Sequence, residues 1–181
     1  MRRVLTAAML VVGMIACSGA TSIGDLKQKD GIWYVSSPDK PYTGEATSFY
    51  ASGKPEARKF IKAGKVDGVW IEWYEDGRKR YEATWKDGLQ EGKSSRWYPG
   101  GQVKLEEEHA MGTLNGVQRE YYENGQKKSE RPFVDGKPYG TWTFWNEEGR
   151  KEKVEIYQDG VLARTEANEF LEEAEAAEEA K

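Results

Sequence analysis

The sequence predicts an all-β protein: an elongated antiparallel β-meander of repeated hairpins, followed by a short acidic helix. Three observations predict it. Glycine recurs with a period of 24 residues, turn residues alternate at strand spacing, and the segments between turns alternate apolar with polar side chains. A fixed period in this range marks stacked supersecondary units.

The glycines fall in three columns. Gly53, Gly77, Gly101, Gly125 and Gly149 share one repeat position, and Gly64, Gly88, Gly112, Gly136 and Gly160 share a second. Gly44, Gly68, Gly92, Gly116 and Gly140 share a third. Five copies follow without insertion, at 45–68, 69–92, 93–116, 117–140 and 141–164. In the first four copies an aromatic pair, and in the fifth Trp145-Asn146, is followed by a turn such as Glu75-Asp76-Gly77 or Glu123-Asn124-Gly125. Asp-Gly and Asn-Gly between strand-like residues predict a hairpin with a type I′ turn, because both central residues there need positive φ. A second turn follows at Asp87-Gly88 and its equivalents, so turns alternate every 11 and 13 residues, too short for helix pairs. In the strand from Tyr81 to Trp85, Tyr81, Ala83 and Trp85 share one face and Glu82 and Thr84 the other. Pro132 lies inside a strand, lacks a donor N–H, and predicts a bulge or kink.

Composition bounds the partner. The chain carries 12% aromatic residues, which argues for a folded body rather than a disordered one. Seven glutamates and Lys181 lie between Glu166 and the end, and Arg2 and Arg3 are the charges at the start. Setting those aside leaves 24 residues of each sign in the body. A neutral body with interspersed signs has no concentrated basic face for phosphate, so nucleic acid is not the expected partner.

Met1-Arg2-Arg3 followed by the apolar run Val4–Ala16 reads as a signal peptide over 1–16; the run is too short to span a bilayer. It ends in Met14-Ile15-Ala16-Cys17, which resembles the lipobox of bacterial lipoproteins. That resemblance implies a thioether-linked diacylglycerol on Cys17, and an outer-membrane address if the envelope is Gram-negative, because Ser18 rather than Asp follows the cysteine. The alternative is an ordinary signal peptide with an incidental cysteine. With one Cys there is no disulfide framework, so lipid is the simplest use for it. Residues 17–30 read as a lipidated tether, 31–164 as the repeat domain, and 165–181 as an acidic tail of helix formers. Phe170 and Leu171 suit a capping helix, while the glutamates suit a solvated tail.

No catalytic or metal constellation is visible. His109, the one histidine, occupies a column filled elsewhere by Ile61, Trp85, Phe133 and Tyr157, and so reads as filler. Glu106, Glu107 and Glu108 alternate faces and do not converge. No ligands stand at metal spacing, and no cofactor motif is present. What remains is surface. The tyrosine row Tyr50, Tyr74, Tyr98 and Tyr122 is the candidate binding face, since tyrosine gives large contact area at low entropic cost.

Copies such as Trp73-Tyr74-Glu75-Asp76-Gly77 and Tyr121-Tyr122-Glu123-Asn124-Gly125 resemble the bacterial MORN-repeat variant, built on a Tyr-Tyr-x-Asn-Gly core. The resemblance covers roughly 31–164, with Asn146 and Arg164 departing in the last copy as a terminal cap does. It implies a non-catalytic scaffold with a protein partner, here anchored to a membrane. Because many relatives of this class are antitoxin-like, it also implies a possible neutraliser of a toxin or effector. Glycan, peptidoglycan and lipid binding are the remaining readings.

Overall fold

A computed structural model describes residues 21–35 and 40–167. Cys17 and the tail beyond Ala167 lie outside the described residues. The strands are β1 (Thr21–Ser22), β2 (Leu26–Lys29), β3 (Ile32–Val35), β4 (Gly44–Phe49), β5 (Pro55–Lys62), β6 (Lys65–Trp73), β7 (Lys79–Lys86) and β8 (Leu89–Trp97). They continue with β9 (Val103–Ala110), β10 (Thr113–Leu114), β11 (Gly116–Tyr121), β12 (Lys127–Val134), β13 (Lys137–Pro138), β14 (Gly140–Trp145), β15 (Lys151–Gln158) and β16 (Val161–Ala167). From β4 onward the main strands pair in sequence order as one antiparallel meander, with β10 beside β9 and β13 beside β12 standing off that path. At strand spacing its length is about 50 Å. The all-β repeated-hairpin expectation holds.

The two turn types differ in a way the dipeptides do not show. At Ala63-Gly64, Asp87-Gly88, Met111-Gly112, Asp135-Gly136 and Asp159-Gly160 both residues have positive φ, which is the type I′ hairpin. At the other end only the glycine does: Gly77 has φ +93° and Asp76 does not share it. There Gly77 N–H donates to the Tyr74 carbonyl and Tyr74 N–H to the Arg78 carbonyl. The type I′ expectation for Glu75-Asp76-Gly77 and its equivalents is therefore corrected to a three-residue loop. It is a type I turn closed by a left-handed glycine, and the register shifts beside it.

Each hairpin is stitched to the next along both edges. On the type I′ edge Gly64, Gly88, Gly112 and Gly136 N–H groups donate to the carbonyls of Tyr42, Val66, Gln90 and Leu114. On the opposite edge the hydroxyls of Tyr50, Tyr74, Tyr98 and Tyr122 donate to the carbonyls of Trp73, Trp97, Tyr121 and Trp145. Each hydroxyl thus reaches one repeat forward. In the last repeat the position is Asn146, whose Oδ1 accepts the backbone N–H groups of Glu148 and Arg150 within its own turn.

Pro132 is not the cause of a kink. Strand β12 pairs with β13 at Phe133 and with β14 at Glu130, leaving Arg131 and Pro132 in an opening between them. The same opening recurs in the first repeat, where the register shifts between Lys59 and Ile61. It follows the third glycine column, whose members lie in the left-handed region, Gly68 at φ +129° and Gly116 at +137°. Pro132 sits where the ladder with the next hairpin is already open.

Two boundaries move. Thr21–Lys29, expected within a tether, is folded: β1 pairs in parallel with β4, and β2 forms a hairpin with β3. Leu26 provides the reason, because it buries with Tyr42, Ala46 and Ile61 in a compact apolar cluster, joined by Ile23 and Trp33. Thr165, Glu166 and Ala167, expected to open the acidic helix, instead extend β16 along β15. An unpaired edge outbids local helix propensity there, and Arg164 bonds Glu166 at 2.6 Å.

Candidate functional site

The registers sort the sheet into two faces. Pairing places Ala46, Lys59, Ile61, Trp70, Glu72, Tyr81, Ala83 and Trp85 on one face of the first hairpins. Continuing, Gln90, Ser94, Arg96, Glu107, His109, Gln118, Ser129 and Arg131 lie on that same face. The β2–β3 hairpin covers it only at the N-terminal end. There Lys59, 5% exposed, has its ammonium 4.2 Å from the Trp33 ring and 4.3 Å from the Trp70 ring. Burial pushes the Lys59 ammonium below its ordinary range, against the opposing pull of Glu72. Beyond this point no second layer of described residues packs on the sheet.

The other face is closed by cations over rings. Arg58 lies over Trp73, Lys79 over Trp97, Lys127 over Trp145, each within about 6 Å of the centroid. The open face also carries cations over rings, Arg96 over Tyr81, Arg131 over Trp142 and Lys153 over Phe144 (which stands opposite Ser129), and differs in its buried polar atoms. Buried polar atoms lacking a hydrogen-bond partner are Trp70 Nε1, Arg80 Nε, Trp85 Nε1, Gln90 Nε2, His109 Nδ1, Ser129 Oγ and Arg131 Nε. Six belong to residues of that face by register. The seventh, Arg80, is the extra residue of a bulge and reaches Glu72 there through its Nη2 at 3.2 Å. Native interiors leave few such atoms without a partner.

Three of these residues, Trp70, Trp85 and Gln90, line a cleft of about 340 Å³ together with Glu72, Tyr81 and Arg96. The Trp70 and Trp85 rings lie 5.6 Å apart and Tyr81 meets Trp70 edge-on. Arg96 stacks on Tyr81 and bonds Glu107 at 3.3 Å. The Trp85 indole leans toward the Tyr81 oxygen without reaching hydrogen-bond geometry, and burial raises the Tyr81 hydroxyl above its ordinary value.

The tyrosine row lies on the open face along the type I edge, with Lys104 over Tyr98 and Lys128 over Tyr122. Its hydroxyls are already engaged between repeats, so it borders the face without offering free donors. Glu106, Glu107 and Glu108 do diverge: Glu106 accepts from Tyr121, while Glu107 pairs with Arg96 and Gln118. His109 stands opposite Gly92, half-buried. Among the described residues no group of three or more His, Cys, Asp or Glu is placed to hold a metal ion. No helix among them is long and apolar enough to cross a membrane.

The cleft donors were missed in the sequence, yet one left a signal. Gln90 shares its repeat position with Val66, Leu114, Pro138 and Leu162, and is the polar member of an apolar column.

The MORN repeat variant family model matches residues 42–63, 66–87, 90–110 and 114–135. The chain has the MORN-repeat family fold. Each match spans one type I hairpin, from β4–β5 through β11–β12, and the β14–β15 hairpin repeats the geometry outside the matched residues. A MORN sheet of this kind is a non-catalytic scaffold. No curated protein matches the sequence. Among solved structures, a crystal structure of accessory secretory protein 1, 2 and 3 in Streptococcus pneumoniae aligns at 16% identity and a TM-score of 0.23. The alignment covers 83% of this chain and 21% of the other, so this chain spans about a fifth of that structure's length.

Proposed function

We propose that this MORN-repeat protein is a lipid-anchored envelope protein that presents one face of its sheet to a protein partner. The observation that carries the binding role is the asymmetry of the two faces. Cations lie over rings on both, but among the described residues six of the seven buried polar atoms without a partner belong to residues of the open face. A face of that kind is completed by something outside the chain. The anchor reading is supported by the Met14-Ile15-Ala16-Cys17 motif; on that reading the membrane is the second partner through lipid on Cys17, with an outer-membrane address in a Gram-negative envelope.

Two experiments test the two halves. Labelling with an alkynyl fatty acid marks the wild type and not Cys17→Ser; undiminished labelling of the variant refutes the anchor. Crosslinked affinity capture from detergent-solubilised envelopes compares the wild type with Phe144→Ser/Gln118→Arg, checked to be folded. One stoichiometric protein captured by the wild type and lost from the variant supports the scaffold. Retention on sacculi instead, or flotation with liposomes that survives Cys17→Ser, overturns it in favour of glycan or lipid.

A further inference from the structure

We infer that the Trp70–Trp85 cleft is a carboxylate-binding site that takes an acidic side chain of a peptide partner. The inference rests on the open face being the contact surface, and it names the chemistry that one part of that surface selects. The buried unpaired atoms of the residues that line the cleft are all donors: the indole N–H groups of Trp70 and Trp85 and Nε2 of Gln90. Its two carboxylates are each paired with a cation. Glu72 bonds Arg80 at 3.2 Å, and Glu107 at the rim bonds Arg96. An indole N–H can only donate, so the missing complement is an acceptor.

Charge selects among acceptors. The cations around the cleft are Lys59, Arg80 and Arg96, and the anions are Glu72 and Glu107. A carboxylate brings the sixth charge and balances the set, and hydrogen bonds to an ionised acceptor are roughly twice as strong as neutral ones. Shape selects the body that carries it. Two indole faces and the Tyr81 ring give an apolar wall for a side chain's methylenes, and about 340 Å³ admits one or two side chains.

The test is a titration of the folded, unlipidated protein followed through the indole N–H resonances of Trp70 and Trp85, assigned with Trp70→Phe and Trp85→Phe. The probe is N-acetyl-glutamate N-methylamide, with its glutamine counterpart and D-glucuronate as the other arms. The glutamate probe produces saturable shifts at both resonances, at least about tenfold tighter than the glutamine probe. Gln90→Glu, which replaces a donor with a like charge, abolishes the shifts while the remaining indole resonances stay dispersed. Equal affinity for the two probes, or no shift at either indole, overturns the inference. Tighter binding of glucuronate overturns the peptide assignment. A failed titration with partner capture intact refutes the cleft alone and leaves the scaffold reading standing.

Discussion

Tyr74→Phe tests whether the tyrosine row is a structural seam. The substitution keeps the ring and deletes the hydroxyl that donates to the Trp97 carbonyl at 2.7 Å. A net intramolecular hydrogen bond contributes roughly 0.5–1.5 kcal/mol, and the half-buried edge places this one near about 1 kcal/mol. The four tyrosines are separated by two strands each, or about 10 Å, far enough for their effects to add. The quadruple phenylalanine variant therefore loses about 4 kcal/mol. Because each bond joins one repeat to the next, its loss also weakens nearest-neighbour coupling, and the transition broadens. Urea unfolding followed by tryptophan fluorescence and by circular dichroism reads both effects. A Tyr74→Phe stability within about 0.3 kcal/mol of the wild type refutes the seam, as does a quadruple variant no weaker than the single one.

Other outcomes follow from the same geometry. Leu26→Ala empties the cluster under the β2–β3 hairpin and costs about 3 kcal/mol by denaturation; a loss under about 1 kcal/mol returns that hairpin to the tether. Gly116→Ala places a Cβ 2.9 Å from Glu108 Cβ at φ +137°, whereas Gly53→Ala meets open space at φ +81°. The first costs about 2–3 kcal/mol and the second about 1 kcal/mol, and a reversed order in thermal unfolding refutes the packing account. Lys59 has a pKa lowered by burial from 10.5, so the unfolded chain binds more protons between the lowered value and 10.5, and stability rises with pH across that window. Wild type therefore gains on Lys59→Met as pH rises toward 10.5, and a constant difference between them contradicts the burial. His109→Phe keeps fold and partner capture; loss of capture with the fold intact assigns the imidazole a role.

Much of the fold was legible because glycine is a geometric requirement. The three columns mark a left-handed residue in the three-residue loop, a type I′ partner, and a bulge, and five copies in phase leave no other register. The difference between Asp76-Gly77 and Asp87-Gly88 was not legible, since the dipeptide is the same. What separates them is loop length, set by Tyr74 bonding Arg78 across the turn. The tyrosine hydroxyls escaped for another reason: their acceptors lie 23 residues on, beyond any local pattern. The tether misread Ile23 and Leu26, whose burial depends on Tyr42, Ala46 and Ile61. Of the cleft, Trp85 stood in the sequence as one member of an apolar column, and Gln90 was the polar member of its own.

Asn146 gives the array a direction as well as a period. Each of Tyr50, Tyr74, Tyr98 and Tyr122 at the equivalent position is a link reaching forward, and Asn146 folds that link back into its own turn. A copy of any interior repeat arrives with its own link and finds a carbonyl to receive it, so the array can lengthen from within. A copy joined after Arg164 meets no such link from the fifth hairpin, and that edge stays unstitched unless Asn146→Tyr accompanies it. Growth by duplication is thus permitted in the middle and disfavoured at the end, and one side chain holds the count.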